Sequence, residues 1–406
     1  MHPLNLFVLV LAFISYGEVS AQPYKTLVAP INKHTITSLY SITLNLHQHY
    51  VIDLNSPFSW FKCSLPHPPV ACKSPPCAQA QSYLSPLCPP INKTTKNGQC
   101  TCTVTPVNPV TKSCSPSQLT YDNFAISWTN GRNPTVSINF NHLYLSCAPV
   151  SLFQSLPKGT VGLAGLSWSP LSLSSQFTPP FLGVAKKFAI CLPSAPLAPG
   201  VIFFGDGPYY LLPPTNLNAE TLLSYTPLLK TPKSPDYFIG VKAISINGKA
   251  IPLSTYSSQR VKLSTVVPYT TLRSDLYKTF LNSFSKATKG VPRVETIEPF
   301  GLCLKASALG FTRVGFRVPQ IDLQLSNGKN WAIFGANSMK QIGDADVACL
   351  AFVDGGKAAN EAMVLGAFQM ENNFLVFDLD QSRLGFSSTL FFARTTCGNF
   401  NFTTTS

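Results

Sequence analysis

Twelve cysteines constrain this chain more than any other feature. Seven of them, Cys63, Cys72, Cys77, Cys88, Cys100, Cys102 and Cys114, crowd one stretch, and Cys147, Cys191, Cys303, Cys349 and Cys397 are spread over the rest. An even count in an exported chain implies six disulfides. The crowded stretch is rich in Pro, Ser, Lys and Thr and has no periodicity. It reads as a loop region stapled by bridges, because bare loops of that length are uncommon in compact domains. Spacing alone does not give the pairing, since twelve cysteines allow roughly ten thousand connectivities. Cys100-Thr101-Cys102 is a CxC, and no paired CxxC occurs, so neither a metal nor a cofactor is expected.

Export is legible at the N-terminus. Met1–Asn5 leads into the apolar run Leu6–Tyr16 and then to Val19-Ser20-Ala21, which reads as a signal peptide over 1–21 cut before Gln22, although its first residues lack Lys or Arg. Cleavage removes one acid, Glu18, and no Lys or Arg, raising the net charge from +13 to +14. No later run approaches the apolar length of a membrane span, so the expected location is extracellular. Sequons at Asn92 and Asn401 predict two glycosylation sites, while Pro134 disqualifies the one at Asn133.

Charged residues make up 12% of the chain and hydrophobic ones 45%, about half the usual charged share of roughly 25%. Such a chain buries large cores and is not disordered. Its basic residues are scattered without an Arg-rich block, which argues against nucleic acid. Tyr40, Ile42, Leu44 and Leu46 alternate with polar residues, and Tyr50–Leu54 follows, predicting a hairpin. Further strands are predicted at Ala125–Trp128, Thr135–Phe140, Leu143–Cys147, Phe188–Leu192, Val201–Phe204, Phe238–Ile246 and Phe374–Asp378. One helix is clear from Leu276, Tyr277, Phe280, Leu281 and Phe284, with Ser274 or Asp275 as its N-cap. Many strands and few helices predict an all-β protein.

The chain also repeats itself weakly. An apolar strand runs into a polar turn at Val51–Ser56 and again at Val261–Val266; an apolar-apolar-Gly element follows at Val161–Gly165 and at Met363–Gly366. Pro213–Asp236, rich in Pro, Thr, Leu and Lys, reads as the join between two halves. This order, with Val376-Phe377-Asp378 and Arg383-Leu384-Gly385-Phe386 near the end, resembles the bilobal pepsin-like aspartic peptidases. The implied lobes are 22–215, carrying the Cys-rich insertion 63–114, and 216–406.

The peptidase motifs are broken. Those peptidases need Asp-Thr-Gly at the first turn and Asp-Ser-Gly or Asp-Thr-Gly at the second, because two adjacent carboxylates share one proton and divide the acid and base roles. The first turn reads Asp53-Leu54-Asn55 and the second Ser264-Thr265-Val266. A Ser hydroxyl cannot serve as a carboxylate base, so Asp53 and Ser264 are expected to be vestigial positions of a non-catalytic scaffold, with residual aspartic peptidase activity as the alternative.

The departures resemble one plant subgroup: extracellular dermal glycoproteins, basic 7S globulins, xyloglucan-specific endoglucanase inhibitors and related xylanase inhibitors. The shared residues include Asp53-Leu54, Trp60-Phe61-Lys62-Cys63, Ser146-Cys147-Ala148-Pro149, Tyr237–Lys242, Asn337-Ser338-Met339, Val353–Gly356, Arg394–Cys397 and Asn399–Phe402, with all twelve cysteines in order. The resemblance implies a bridge between Cys303 and Cys349. It also implies a plant-defence inhibitor of microbial cell-wall glycosidases, foremost a family 12 xyloglucan endo-β-1,4-glucanase. That family's endoglucanase inhibitors push two arginines into the target cleft, and the matching residues here are Arg313, ahead of Val318–Asp322, and Arg394. A forked, permanently charged guanidinium suits the carboxyl pair of a retaining glycosidase. The xylanase inhibitors place a His where this chain has Phe368, which disfavours a family 11 xylanase as partner. Storage or peptide and receptor binding, as in basic 7S globulins, is the other alternative.

Overall fold

The alternation at residues 40–46 becomes a hairpin because its tip accepts a tight reversal. Leu39–Leu44 pairs antiparallel with Gln48–Asp53, and Asn45 and Leu46 turn the corner at φ of 48° and 69°. Asn tolerates that left-handed conformation, and its side-chain oxygen accepts the amide of Ala125 at 2.6 Å. The computed structural model describes residues 26–63, 67–83, 85, 88–89, 95–96, 99–212, 214–232, 234–253 and 259–403. The expected signal peptide and the expected glycosylation site at Asn92 lie outside the described residues.

The internal repeat is a repeat of topology. Gln48–Asp53 continues as the parallel neighbour of Thr160–Gly165, with Asp53 opposite Gly165. Arg260–Leu263 likewise lies parallel to Met363–Leu365, with Leu263 opposite Leu365. In each half the chain passes so close to the apolar-apolar-Gly element that only glycine fits. A Cβ on Gly165 would lie 2.6 Å from the Ser56 carbonyl oxygen, and one on Gly366 would lie 2.5 Å from the Tyr269 backbone.

The halves are joined by one sheet running Thr26–His34, Gly200–Gly205, Lys187–Cys191, Phe374–Asp378, Arg383–Phe386 and Ser224–Thr231. At its centre Ala189 faces Val376, and the rings of Phe188 and Phe377 stack at 4.5 Å with no solvent exposure. Most of the stretch expected as a join is therefore sheet: Ser224–Thr231 is a strand, and Ser234 opens the next one.

Two local expectations are corrected. The two segments expected over 135–147 form one continuous strand, Pro134–Ala148, against Ser117–Thr129, with an irregularity between Asp122 and Phe124 that absorbs the break in alternation. The helix spans Ser274–Ala287, but its N-cap is Arg273 and makes no side-chain capping bond. Ser274 instead donates to Asp354 at 2.6 Å, and Asp275 sits in the first turn, paired with Arg273. Leu276, Tyr277, Phe280 and Phe284 are buried as the periodicity requires.

All twelve cysteines are paired, and Cys303–Cys349 is among the bridges. Six of the crowded seven pair locally, as Cys72–Cys100, Cys77–Cys102 and Cys88–Cys114, around the short helix Pro75–Gln81. Cys63 reaches Cys147 on the neighbouring parallel strand. Cys191 ties the central sheet to Cys397.

Candidate functional site

Asp53 and Ser264 end corresponding strands, and their side chains do the same local job. Asp53 Oδ1 accepts the amide of Asn55 at 2.8 Å, two residues on; Ser264 Oγ accepts those of Val266 and Val267 at 3.3 and 3.2 Å. Thr265 Oγ1 crosses to the first turn, donating to the Ile52 carbonyl at 2.8 Å and accepting the Leu54 amide at 3.3 Å. Asn55 returns one bond to the Leu263 carbonyl at 3.1 Å. Leu54, fully buried, returns none from its side chain. Burial pushes the Asp53 carboxyl above its ordinary range, against the Asn55 amide and the charge of Lys262. The pair of turns thus holds one carboxyl and one hydroxyl, and a second ionisable partner for proton sharing is missing from these two positions.

The two arginines stand on separate loops that meet the same cleft wall. Arg313 is at the exposed tip of a small hairpin, Phe311–Thr312 against Gly315–Phe316. Gly315, at φ 93°, lets the hairpin press on Ala336, whose amide donates to the Val314 carbonyl at 2.8 Å. Arg394 closes the turn Leu390–Ala393 in the left-handed conformation at φ 57° and is exposed. Phe392 of that turn packs edge-on against Phe334 at 5.0 Å, beside the segment carrying the Arg313 hairpin. A cleft of ≈ 310 Å³ lies here, lined by Arg313, Lys33, Lys340, Phe368, Glu371 and Phe391 among others. Phe368 is 8% exposed and packs on Tyr269, so it forms wall rather than a projecting contact.

Two adjacent residues, Glu371 and Asn372, support both loops. Asn337 Nδ2 donates to the carbonyls of Phe368 and Glu371, at 2.9 Å each, holding the segment beneath the Arg313 hairpin. The Asn372 carbonyl accepts the Leu390 amide at 2.8 Å, and its side chain accepts that of Cys397 at 3.0 Å, fixing the Arg394 turn. The Glu371 carboxylate, 3% exposed, takes Lys33 Nζ at 2.6 Å and the Tyr40 hydroxyl at 2.5 Å. Burial pushes this carboxyl up, opposed by the Lys33 charge and by both hydrogen bonds.

Comparison with known proteins identifies the scaffold. Residues 36–206 match the family model described as xylanase inhibitor N-terminal, and 236–388 match xylanase inhibitor C-terminal. The chain belongs to this xylanase-inhibitor family. Among its relatives, "Chitinase CLP" of Oryza sativa subsp. japonica is 41% identical, over 93% of this chain and 92% of that protein. "Probable aspartic proteinase GIP2" of Nicotiana benthamiana is 37% identical, with 95% and 94% covered. The crystal structure of EDGP superposes with a TM-score of 0.85 at 36% identity, covering 94% of this chain and 99% of that one. The family has the pepsin-like fold, and the all-β bilobal expectation holds.

Within this xylanase-inhibitor scaffold, sequence reasoning missed the Lys33–Glu371–Tyr40 cluster, whose members are 331 and 338 residues apart. No local signal marks Glu371, which stands among Gln369, Met370, Asn372 and Asn373. Asn401 is half-buried, and its side-chain oxygen accepts the Thr403 hydroxyl of its own sequon at 2.7 Å.

Proposed function

We propose that this protein is a secreted, non-catalytic inhibitor of a microbial cell-wall glycosidase, with a family 12 xyloglucan endo-β-1,4-glucanase as its target. The observation that carries the reading is the meeting of two exposed arginine loops at one cleft, on a common buried support. Arg313 and Arg394 are read as the groups that enter the target's substrate cleft and bridge its carboxylates. Phe368, buried in the wall, offers no hydrogen bond to a xylanase acid/base pair, which supports the glucanase over a family 11 enzyme. Ser264 is read as standing where a peptidase keeps its second Asp. The lobes are taken as 22–215 and 216–406, and Asn92 and Asn401 as glycosylated.

The reading is tested by titrating the purified protein against a family 12 xyloglucan endoglucanase and a family 11 xylanase. Casein and chitin digestion by the protein alone serve as controls. Inhibition of the glucanase, with no casein or chitin turnover, is expected. No inhibition of either enzyme overturns the choice of target and favours the storage or peptide- and receptor-binding reading that the resemblance to basic 7S globulins implies. Pepstatin-sensitive casein cleavage overturns the non-catalytic reading.

A further inference from the structure

The cleft beside Arg313 carries more positive charge than its own residues neutralise. Three cations line it, Lys33, Arg313 and Lys340, against the single carboxylate of Glu371. Glu371 is already committed to Lys33 at 2.6 Å, both side chains being nearly inaccessible. Among the described residues, neither Lys340 nor Arg313 forms a salt bridge. Lys340 is only partly exposed, and its ammonium lies over the Phe368 ring face at 5.8 Å. Burial and the charge of Lys33 hold its ammonium below the ordinary value, against the pull of Glu371. A half-buried cation without an anion is a cost that an incoming anion removes.

The rest of the lining says what the anion is attached to. Phe311, Phe368 and Phe391 give the cleft flat apolar surfaces, and Phe311 is 71% exposed although it packs on Phe316 at 4.7 Å. A bare inorganic anion leaves these rings uncovered. At ≈ 310 Å³ the cleft is at the small end of ligand sites, enough for one or two rings.

We propose that this cleft binds a small organic carboxylate on a ring body with an apolar face, its carboxylate between Lys340 and Arg313 and its ring against Phe311 and Phe368. Acidic sugars and aromatic acids share this chemistry. The site goes beyond the inhibitor reading and does not depend on it, because no glycosidase enters its test.

The test is calorimetric titration of the intact secreted protein at low ionic strength with digalacturonate and with 4-hydroxybenzoate, each beside its neutral methyl ester. At least one acid binds, one per chain, and its ester binds at least ten times more weakly. Digalacturonate alone binding assigns the sugar source, and 4-hydroxybenzoate alone assigns the aromatic one; both binding supports the shared chemistry. Lys340→Met weakens binding at least tenfold, and so does Arg313→Ala. Phe311→Ser, at an exposed position that keeps the fold, weakens it at least threefold. Lys158→Met removes an exposed lysine outside the cleft lining and leaves binding unchanged. Failure of both acids to bind, equal binding of the esters, or an equal loss in Lys158→Met overturns the proposal.

Discussion

Removing the Glu371 carboxylate strikes the support that both arginine loops share. In Glu371→Ala, Lys33 keeps its charge in a site where its side chain is 8% exposed, and the Tyr40 hydroxyl, 1% exposed, loses its acceptor. Lys33 retains one bond, to the Ser194 carbonyl at 2.9 Å. Breaking a buried ion pair from one side costs about 3–5 kcal/mol, because the remaining charge is stranded. The double variant Lys33→Met/Glu371→Leu keeps the volume and removes both charges, so it should recover most of that loss. Urea unfolding of wild type, Glu371→Ala, the singles Lys33→Met and Glu371→Leu, and their double reads this directly, as a fall in midpoint at unchanged slope. A cost below about 1 kcal/mol for Glu371→Ala, or a double variant equal to the sum of the singles, would refute the claim that this pair holds the support.

Other consequences follow from the same geometry. Arg394 sits in a left-handed conformation that costs about 1–2 kcal/mol, and glycine relieves this while adding about 0.5–1 kcal/mol of chain entropy; Arg394→Gly should therefore unfold within about 1 kcal/mol of wild type while losing inhibition, by urea titration and enzyme assay. Burial raises the Asp53 carboxyl above its ordinary 3.8, so the folded chain holds that proton more tightly and stability falls as pH rises from the unfolded to the folded value. Asp53→Asn keeps an acceptor for the Asn55 amide and should be more stable than wild type at neutral pH, the gap closing in thermal scans as pH falls from the raised folded value to the ordinary 3.8 and vanishing below it. Removing the Cys191–Cys397 bridge, which closes a separation of 206 residues, should cost about 2–5 kcal/mol and weaken inhibition by freeing the Arg394 turn, whereas an equal loss of inhibition in Cys72→Ala/Cys100→Ala would show a merely global effect.

What the sequence made legible was local or repeated. The hairpin at 39–53 follows from alternation over consecutive residues, and the helix at 274–287 from apolar residues on one face. The paired strand-turn and apolar-apolar-Gly elements were visible because the same close backbone approach recurs at Gly165 and Gly366. The helix cap was misread because Ser274 has a better acceptor in Asp354, 80 residues away. The stretch at 224–231 looked like a linker because its Pro and Lys mask a strand that pairs first with Arg383–Phe386 and then with Ser234–Ile246. Nothing local reveals that Lys33 meets Glu371, or that Glu371 and its neighbour Asn372 hold the supports of the Arg313 hairpin and the Arg394 turn. Those contacts exist only after the halves close on each other, and resemblance alone drew attention to the arginines.

The most direct test of the central claim is the affinity of wild type and of Arg313→Ala/Arg394→Ala for a family 12 xyloglucan endoglucanase. Both should be measured by calorimetry against the active enzyme and against one whose two cleft carboxylates are changed to amides. Each truncated charge-assisted contact is worth about 2–5 kcal/mol, roughly thirtyfold or more. The account predicts tight binding by wild type alone, and weak binding whenever either the arginines or the carboxylates are removed. Tight binding by the double variant, or indifference of wild type to the loss of the carboxylates, would contradict it.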